Sequence, residues 1–268
     1  MRQAVRVRYP ACKILKPKEH NMNFIKSELK DYKILLRNVP AMVVSVFILS
    51  VVCMNLMASK ELYSSTYFCI NSGLALSWIS FLCMDCICKR FGPKASVKIS
   101  ILAMVINVIT VLIFKLLSMT PGHWAAYFSA PDAATGELIN DGLNSTFGNT
   151  WYVVFGSAVA MILSAIVNSY TNAWIGKTHD KGSYGSFALR SFISTAVGQW
   201  VDNFVFSAVV SHVFFGWNWT QVLICSTTSM FIELALEAVF SPIGFKVSKN
   251  WENDGIGQEY LNLIETAA

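Results

Sequence analysis

Uninterrupted apolar blocks of close to twenty residues, about six of them, restrict this chain more than any other feature. They run approximately from Pro40 to Met57, Phe68 to Cys88, Ile99 to Met119, Trp151 to Ile175, Phe192 to Phe215 and Val222 to Phe240. A helix of that length spans the hydrocarbon of a bilayer, and within lipid every backbone N–H and C=O must be satisfied inside the segment. The expectation is an all-α, polytopic membrane protein built as a six-helix transmembrane bundle. Composition agrees, because apolar residues make up 54% of the 268 and charged ones only 14%, too few to cover a water-soluble globule.

Lysine and arginine between the blocks set the orientation. Lys89, Arg90, Lys94 and Lys98 follow the second block, Lys177, Lys181 and Arg190 the fourth, and Lys246 and Lys249 the sixth, which makes these connections cytoplasmic. The intervening connections hold Lys60 alone, then no basic residue between Thr120 and Thr150, then the short Gly216 to Thr220 turn. Both termini are therefore expected in the cytoplasm. Of the 21 basic residues, 10 precede residue 38, so the net charge of +5 reads as cytoplasmic anchoring rather than as a nucleic-acid surface. The chain divides into a basic tail over 1–38, with an interfacial helix from Asn23 to Leu36, a six-helix transmembrane domain over 39–249, and a short polar tail over 250–268. The basic start lacks the apolar core and cleavage site of a signal peptide. Seven cysteines, mostly within or beside apolar blocks, do not suggest a disulfide framework or a metal cluster.

Polar side chains inside the blocks carry the functional signal. A charge at the centre of a bilayer costs at least about 3 kcal/mol, so an intramembrane carboxylate faces a partner or a water-filled cavity. Asp202 and Glu233 fall near mid-membrane, with Glu237 a turn nearer the cytoplasm, and the three are expected to share one site. Ser191, Ser194, Thr195, Gly198, Gln199 and Asp202 recur at helical spacing as one polar stripe. Ser157, Ser164, Asn168 and Asn172 form a second, and Asn55 adds an amide to the first block. Single Ser and Thr residues in such places are usually interhelical glue, whereas three carboxylates near one depth are not. Asp85, beside Lys89, reads as a helix-end ion pair, and Lys115 as a residue reaching for the interface. Trp200 is the aromatic best placed to cover a flat ligand, Trp78, Trp174 and Trp217 reading as interfacial anchors. No H-E-x-x-H, P-loop or G-x-S-x-G motif is present, so no enzyme activity and no cofactor is expected.

The run R-S-F-I-S-T-A-V-G-Q-W-V-D-N, Arg190 to Asn203, resembles the fifth-helix motif of the queuosine precursor transporter family: an Arg, then Ser-Thr, then Gly-Gln-x-x-Asp. V-V-C-M-N-L-M-A-S-K (Val51 to Lys60), D-C-I-C-K-R-F-G (Asp85 to Gly92) and E-A-V-F-S-P (Glu237 to Pro242) are similar to three further family patterns. The chain departs from the family at Lys89, where Glu is usual, at Trp78, where Pro is usual, and at Glu233, where Lys is usual. The resemblance implies import of 7-cyano- or 7-aminomethyl-7-deazaguanine, precursors of a tRNA modification, through a bacterial plasma (inner) membrane. It implies a substrate site drawn from Asn55, Asn168, Arg190, Ser194, Thr195, Gln199, Trp200, Asp202, Glu233 and Glu237. The partners expected are a small 7-deazaguanine-like molecule and the lipid bilayer, with a homo-oligomer left open. Two alternatives stand beside it: a substrate-capture subunit of an energy-coupling-factor vitamin transporter, and a scaffold that transports nothing.

Overall fold

The computed structural model describes residues 17–58, 60–148, 151–179 and 183–267. Residues 1–16, the greater part of the basic tail, lie outside them, as do residues 180–182 of the connection assigned to the cytoplasm. Among the described residues the architecture is all-α, with one small hairpin. Helix α1 (Pro17–Asn38) leads into α2 (Ala41–Met57) through a 103° bend. The break falls at Val39-Pro40, where the proline ring disfavours helical geometry in the residue before it. Strands β1 (Glu61–Ser64) and β2 (Cys69–Asn71) pair antiparallel, followed by α3 (Leu74–Phe91) and α4 (Pro93–Ser118). Gly92, at φ 86°, makes the turn between them, and Pro93 opens α4 where its missing N–H costs nothing. A short 3₁₀ turn (Ala125–Ser129) and α5 (Ala133–Gly148) precede α6 (Trp151–His179) and α7 (Tyr184–Phe206). A π-helical turn (Ser207–Ser211) joins α7 to α8 (His212–Phe215). Helix α9 (Trp219–Asn253) and α10 (Gln258–Ala267) complete the chain.

Among the described residues, three stretches are long and apolar enough to cross a membrane: Pro93–Ser118, Ala133–Lys177 and Trp219–Asn253. A fourth is added if the bent α1–α2 pair counts as one. The other helices fall short for physical reasons. Helix α2 alone has 17 residues, and the 18 residues of α3 include Asp85, Lys89 and Arg90. Long apolar side chains on α4 (Val105, Ile109, Leu112, Ile113, Leu116) stay exposed, forming the face that lipid covers.

The expected block boundaries shift in several places, α4 beginning at Pro93 rather than Ile99 and α7 at Tyr184 rather than Phe192. The second block does not begin as a helix at Phe68, because residues 69–71 are held in the hairpin; the Asn71 side chain then accepts the Leu74 N–H at 3.2 Å and starts α3. The sixth does not stop at Phe240. Helix α9 starts from a capping box, in which the Asn218 side chain accepts from the Gln221 N–H at 2.9 Å and the Gln221 side chain from the Asn218 N–H at 3.0 Å. It then continues through Pro242, which cannot donate to the Ala238 carbonyl; the Ser241 hydroxyl donates to that carbonyl instead, at 3.2 Å. Lys246 and Lys249 thus lie on the helix rather than after it.

Small, fully buried residues, Ala95 and Ala103 on α4 and Ala160 and Ala165 on α6, let these two helices approach closely, and the Ser169 hydroxyl donates across to Ser96 at 2.9 Å. Gly198 does the same for α7 against α6: a Cβ there would sit 2.7 Å from the Asn168 Cβ. The apolar core continues to the end of the bundle where α10 meets α1. There Phe91 packs edge-on to Trp251 and beside the buried Tyr260 of α10, the Arg90 side chain donates to the Ile256 carbonyl at 2.7 Å, and the Asn38 amide donates to Glu259 at 3.0 Å. The polar segment after Asn250 is therefore a docked helix rather than a free tail.

Candidate functional site

The buried face of α7 is polar. Arg190, Ser191, Ser194, Thr195 and Gln199 are almost wholly shielded, while Ile193 and Val197 on its other side are exposed. Helix α6 turns Ser164, Asn168, Ser169 and Asn172 inward in the same way. This inverts the pattern of a soluble protein, because lipid solvates the apolar faces and leaves the polar ones to find each other. The side chains gathered between α2, α3, α6, α7 and α9 form two clusters at different depths.

One cluster meets a cavity. At the hairpin end of the bundle a cleft of about 300 Å³ is lined by Glu61, Cys69 and Asn71, by the rings of Tyr152, Phe206, Phe215 and Trp217, and by Ser207 and Ser211 of the π turn. A π-helical turn is often found beside a functional site, and here it points two hydroxyl-bearing residues at the opening. The hairpin is tied to α9 by the Gln221 amide, which donates to the Thr66 carbonyl at 3.0 Å. Ala58, Asn71, Asn203 and Phe206 also line a second, narrower pocket of about 60 Å³ that leads deeper. Asn55, Ser77, Ser157, Asp202 and Glu233 close it. Glu233 receives hydrogen bonds from the Ser77 hydroxyl and, at 2.9 Å, from the Asn203 amide; Asp202 receives one from Ser164 at 3.0 Å.

The second cluster is sealed. Asp85 has no exposed surface and is bonded by the Asn168 amide at 3.0 Å, by the hydroxyl of Ser191, and by Ser194 and Thr195 at 3.4 and 3.2 Å. Ser191 and Thr195 also contact Glu237, at 2.9 and 3.0 Å. The Arg190 guanidinium donates to the Asn172 carbonyl oxygen at 2.6 Å, and the Asn172 amide donates to Ser194 at 3.1 Å. Asp85 is thus no helix-end ion pair. It lies well inside α3, and its acceptor oxygens are the hub on which α6 and α7 converge, while Lys89 lies over the rings of Phe187 and Phe245.

Of the residues singled out from sequence, the fold brings Asn55, Asp202 and Glu233 to the cavity. Asn168, Arg190, Ser194, Thr195 and Glu237 fall in the sealed network, so the three carboxylates do not share one pocket: Glu237 pairs with Asp85 instead. Gln199 lies between the clusters, a helical turn from Thr195 on one side and from Asn203 on the other, and both polar atoms of its buried amide lack a partner among the described residues. Trp200 reaches neither cluster. It stacks on Phe204 at 5.0 Å between ring centroids and donates to Thr227 at 3.3 Å. Sequence reasoning missed Asn203, Phe206 and Ser77. Asn203 follows Asp202 directly in the quoted run, and Ser77 precedes Asp85 by eight residues on one face of α3; Phe206 had no signal of its own. The cysteines of α3 also point apart, Cys86 toward the Gly244 carbonyl and Cys88 toward that of Ser169.

A family model described as "putative vitamin uptake transporter" matches residues 71–247, a segment that contains both clusters apart from Asn55. The chain belongs to this vitamin uptake transporter family. No curated protein and no solved structure matches it. A vitamin uptake transporter acts as a carrier in the membrane, and its natural ligand is a small molecule. A cavity open at one end and closed by carboxylates and amides near the middle of the bundle suits that role.

Proposed function

We propose that this transporter imports a flat, purine-like base, a 7-deazaguanine precursor of queuosine, by alternating access. In this reading the chain crosses the bilayer six times with both termini in the cytoplasm, the hairpin faces outward, and the described state is open to the outside. The cavity that narrows onto Asp202, Asn203 and Glu233 carries the proposal. A guanine-like edge presents adjacent ring N–H and exocyclic NH₂ donors, and a carboxylate accepts both at once. The Asn55 amide, which spends one hydrogen on the Val51 carbonyl, offers its other to the carbonyl oxygen of the base, and Phe206, common to both parts of the cavity, offers a ring for its face. Glu233 suits a cationic aminomethyl substituent, which makes the aminomethyl compound the favoured ligand over the cyano one.

The experiment is uptake of labelled 7-aminomethyl-7-deazaguanine by proteoliposomes holding this chain alone, with the cyano compound and riboflavin as competitors. Saturable uptake blocked by the cyano compound and not by riboflavin supports the reading. Uptake only when an ATPase coupling module is added would replace it with a substrate-capture subunit, the second reading, which the vitamin description of the family favours.

A further inference from the structure

We propose that Asp85 and Glu237 form a proton-binding site, separate from the substrate cavity, and that one proton moves inward through it with each substrate molecule. The coupling half of this statement rests on the transport reading above; the site itself does not. Four oxygens make a closed ring: Asp85 Oδ2, Ser191 Oγ, Glu237 Oε1 and Thr195 Oγ1, with each hydroxyl in contact with both carboxyl oxygens. Each hydroxyl has one hydrogen, so two hydrogens serve four contacts. With both carboxylates ionised, two of the four contacts set lone pair against lone pair. A proton on Glu237 Oε1 turns one of those into a donated hydrogen bond.

Burial leads the same way. Both carboxyl groups lie without exposed surface, where a second ionised carboxylate beside the first is costly. A second observation is independent of the ring. Glu237 Oε2 and Asn168 Oδ1 are both fully buried and lack a hydrogen-bond partner among the described residues. An anionic oxygen in that position is costly, whereas the carbonyl oxygen of a neutral carboxylic acid tolerates it. The groups that face the ring are few. Helix α3 contributes Cys86 and Lys89 besides Asp85, α7 contributes Arg190, α9 contributes Glu233, and α6 contributes only the amides of Asn168 and Asn172.

Glu233 gives the proton its entrance. It lines the cavity and stands one helical turn from Glu237 on α9. The step is a plain protonation: an O–H bond forms on Glu237 from a proton of the outer water, and it breaks toward the inner water once the transporter has turned inward.

The test has two arms. In the first, an acid-outside gradient is imposed on proteoliposomes and gradient-driven accumulation of labelled 7-aminomethyl-7-deazaguanine is divided by gradient-free tracer exchange. Wild type should show stimulation, Glu237→Gln should lose it, and Thr195→Val should shift its pH profile. Stimulation retained in Glu237→Gln, or a sodium gradient replacing the proton gradient, overturns the proposal. The second arm needs no substrate: the infrared carbonyl band of a protonated carboxylic acid should be present in wild type at neutral pH and weakened in Glu237→Gln. An unchanged band overturns the site even where tracer exchange is absent, a result that would by itself sink the substrate reading.

Discussion

The two carboxylate clusters lie on the same helices and differ in their access to water. Glu233 and Asp202 line a pocket continuous with an open cleft, each held by one or two hydrogen bonds. Asp85 and Glu237 lie a turn or more deeper, without exposed surface, tied to four side chains of α6 and α7. A group left with free acceptor capacity beside water is poised for a ligand, whereas one shut away from water among the protein's own hydroxyls and amides is committed to holding helices or a proton. The difference also explains why a bundle without much hydrophobic drive between its helices has a single arrangement: the sealed cluster fixes how α3, α6, α7 and α9 meet.

The largest effect is expected from Asp85→Ala. It strips the acceptor from the Asn168 amide, left buried and unsatisfied at a cost of about 1–3 kcal/mol, and leaves the Ser191 and Thr195 hydroxyls with Glu237 as their one remaining carboxyl partner. Loss of folded protein, read as size-exclusion profile and melting temperature in detergent, should exceed that of any cavity mutant. A melting temperature equal to wild type would mean the network does not hold the bundle. Asp202→Asn should do the opposite, abolishing uptake while leaving membrane level and melting temperature unchanged, because the amide keeps the volume but aims a donor at the donors of the ligand. Normal uptake by Asp202→Asn would show that Asp202 is helix glue and would remove the proposed site.

Much of this was legible in the sequence. The helical class follows from block length, and the inward face of α7 from the three- and four-residue spacing of Ser191, Ser194, Thr195 and Gln199. Three things were hidden. Asp85 sits four residues before Lys89, which suggests a local pair, but the pairing partners come from residues 83 to 110 positions later on α6 and α7. Glu233 and Glu237, four apart and so neighbours on α9, were expected to act together; small rotational differences along the helix send one to Ser77 and Asn203 and the other to Ser191 and Thr195. Trp200 sits beside Gln199 in the motif, yet adjacent residues on a helix point about 100° apart, and Trp200 faces Thr227.

The difference in access is measured directly by thiol labelling. In a chain whose native cysteines are replaced by alanine, Ser229→Cys, which lines the cleft, should react with a membrane-impermeant thiol reagent applied from outside, and Ser191→Cys should not. Ligand should slow the first reaction by blocking the pocket beneath it. Equal labelling of the two positions would erase the distinction between an open and a sealed cluster.

The smallest effect, and the one that sharpens the boundary between the clusters, is expected at Gln199. Its side chain has no exposed surface, and neither its carbonyl oxygen nor its amide nitrogen has a partner among the described residues. A buried amide in that state costs free energy that an apolar side chain of similar volume does not, so Gln199→Met should leave the melting temperature unchanged or raise it by a few degrees. If the amide finds its partners only when substrate descends or the helices rearrange, the same mutant should transport more slowly, and stability and uptake would move in opposite directions. Gln199→Ala should lower uptake as well, though less than Asp202→Asn, because it removes an auxiliary donor rather than the principal acceptor. A clear loss of stability in Gln199→Met would mean that buried water already satisfies the amide. The narrow pocket would then continue past Asn203 toward Thr195, and the sealed cluster would have to be redrawn as the floor of the same aqueous path.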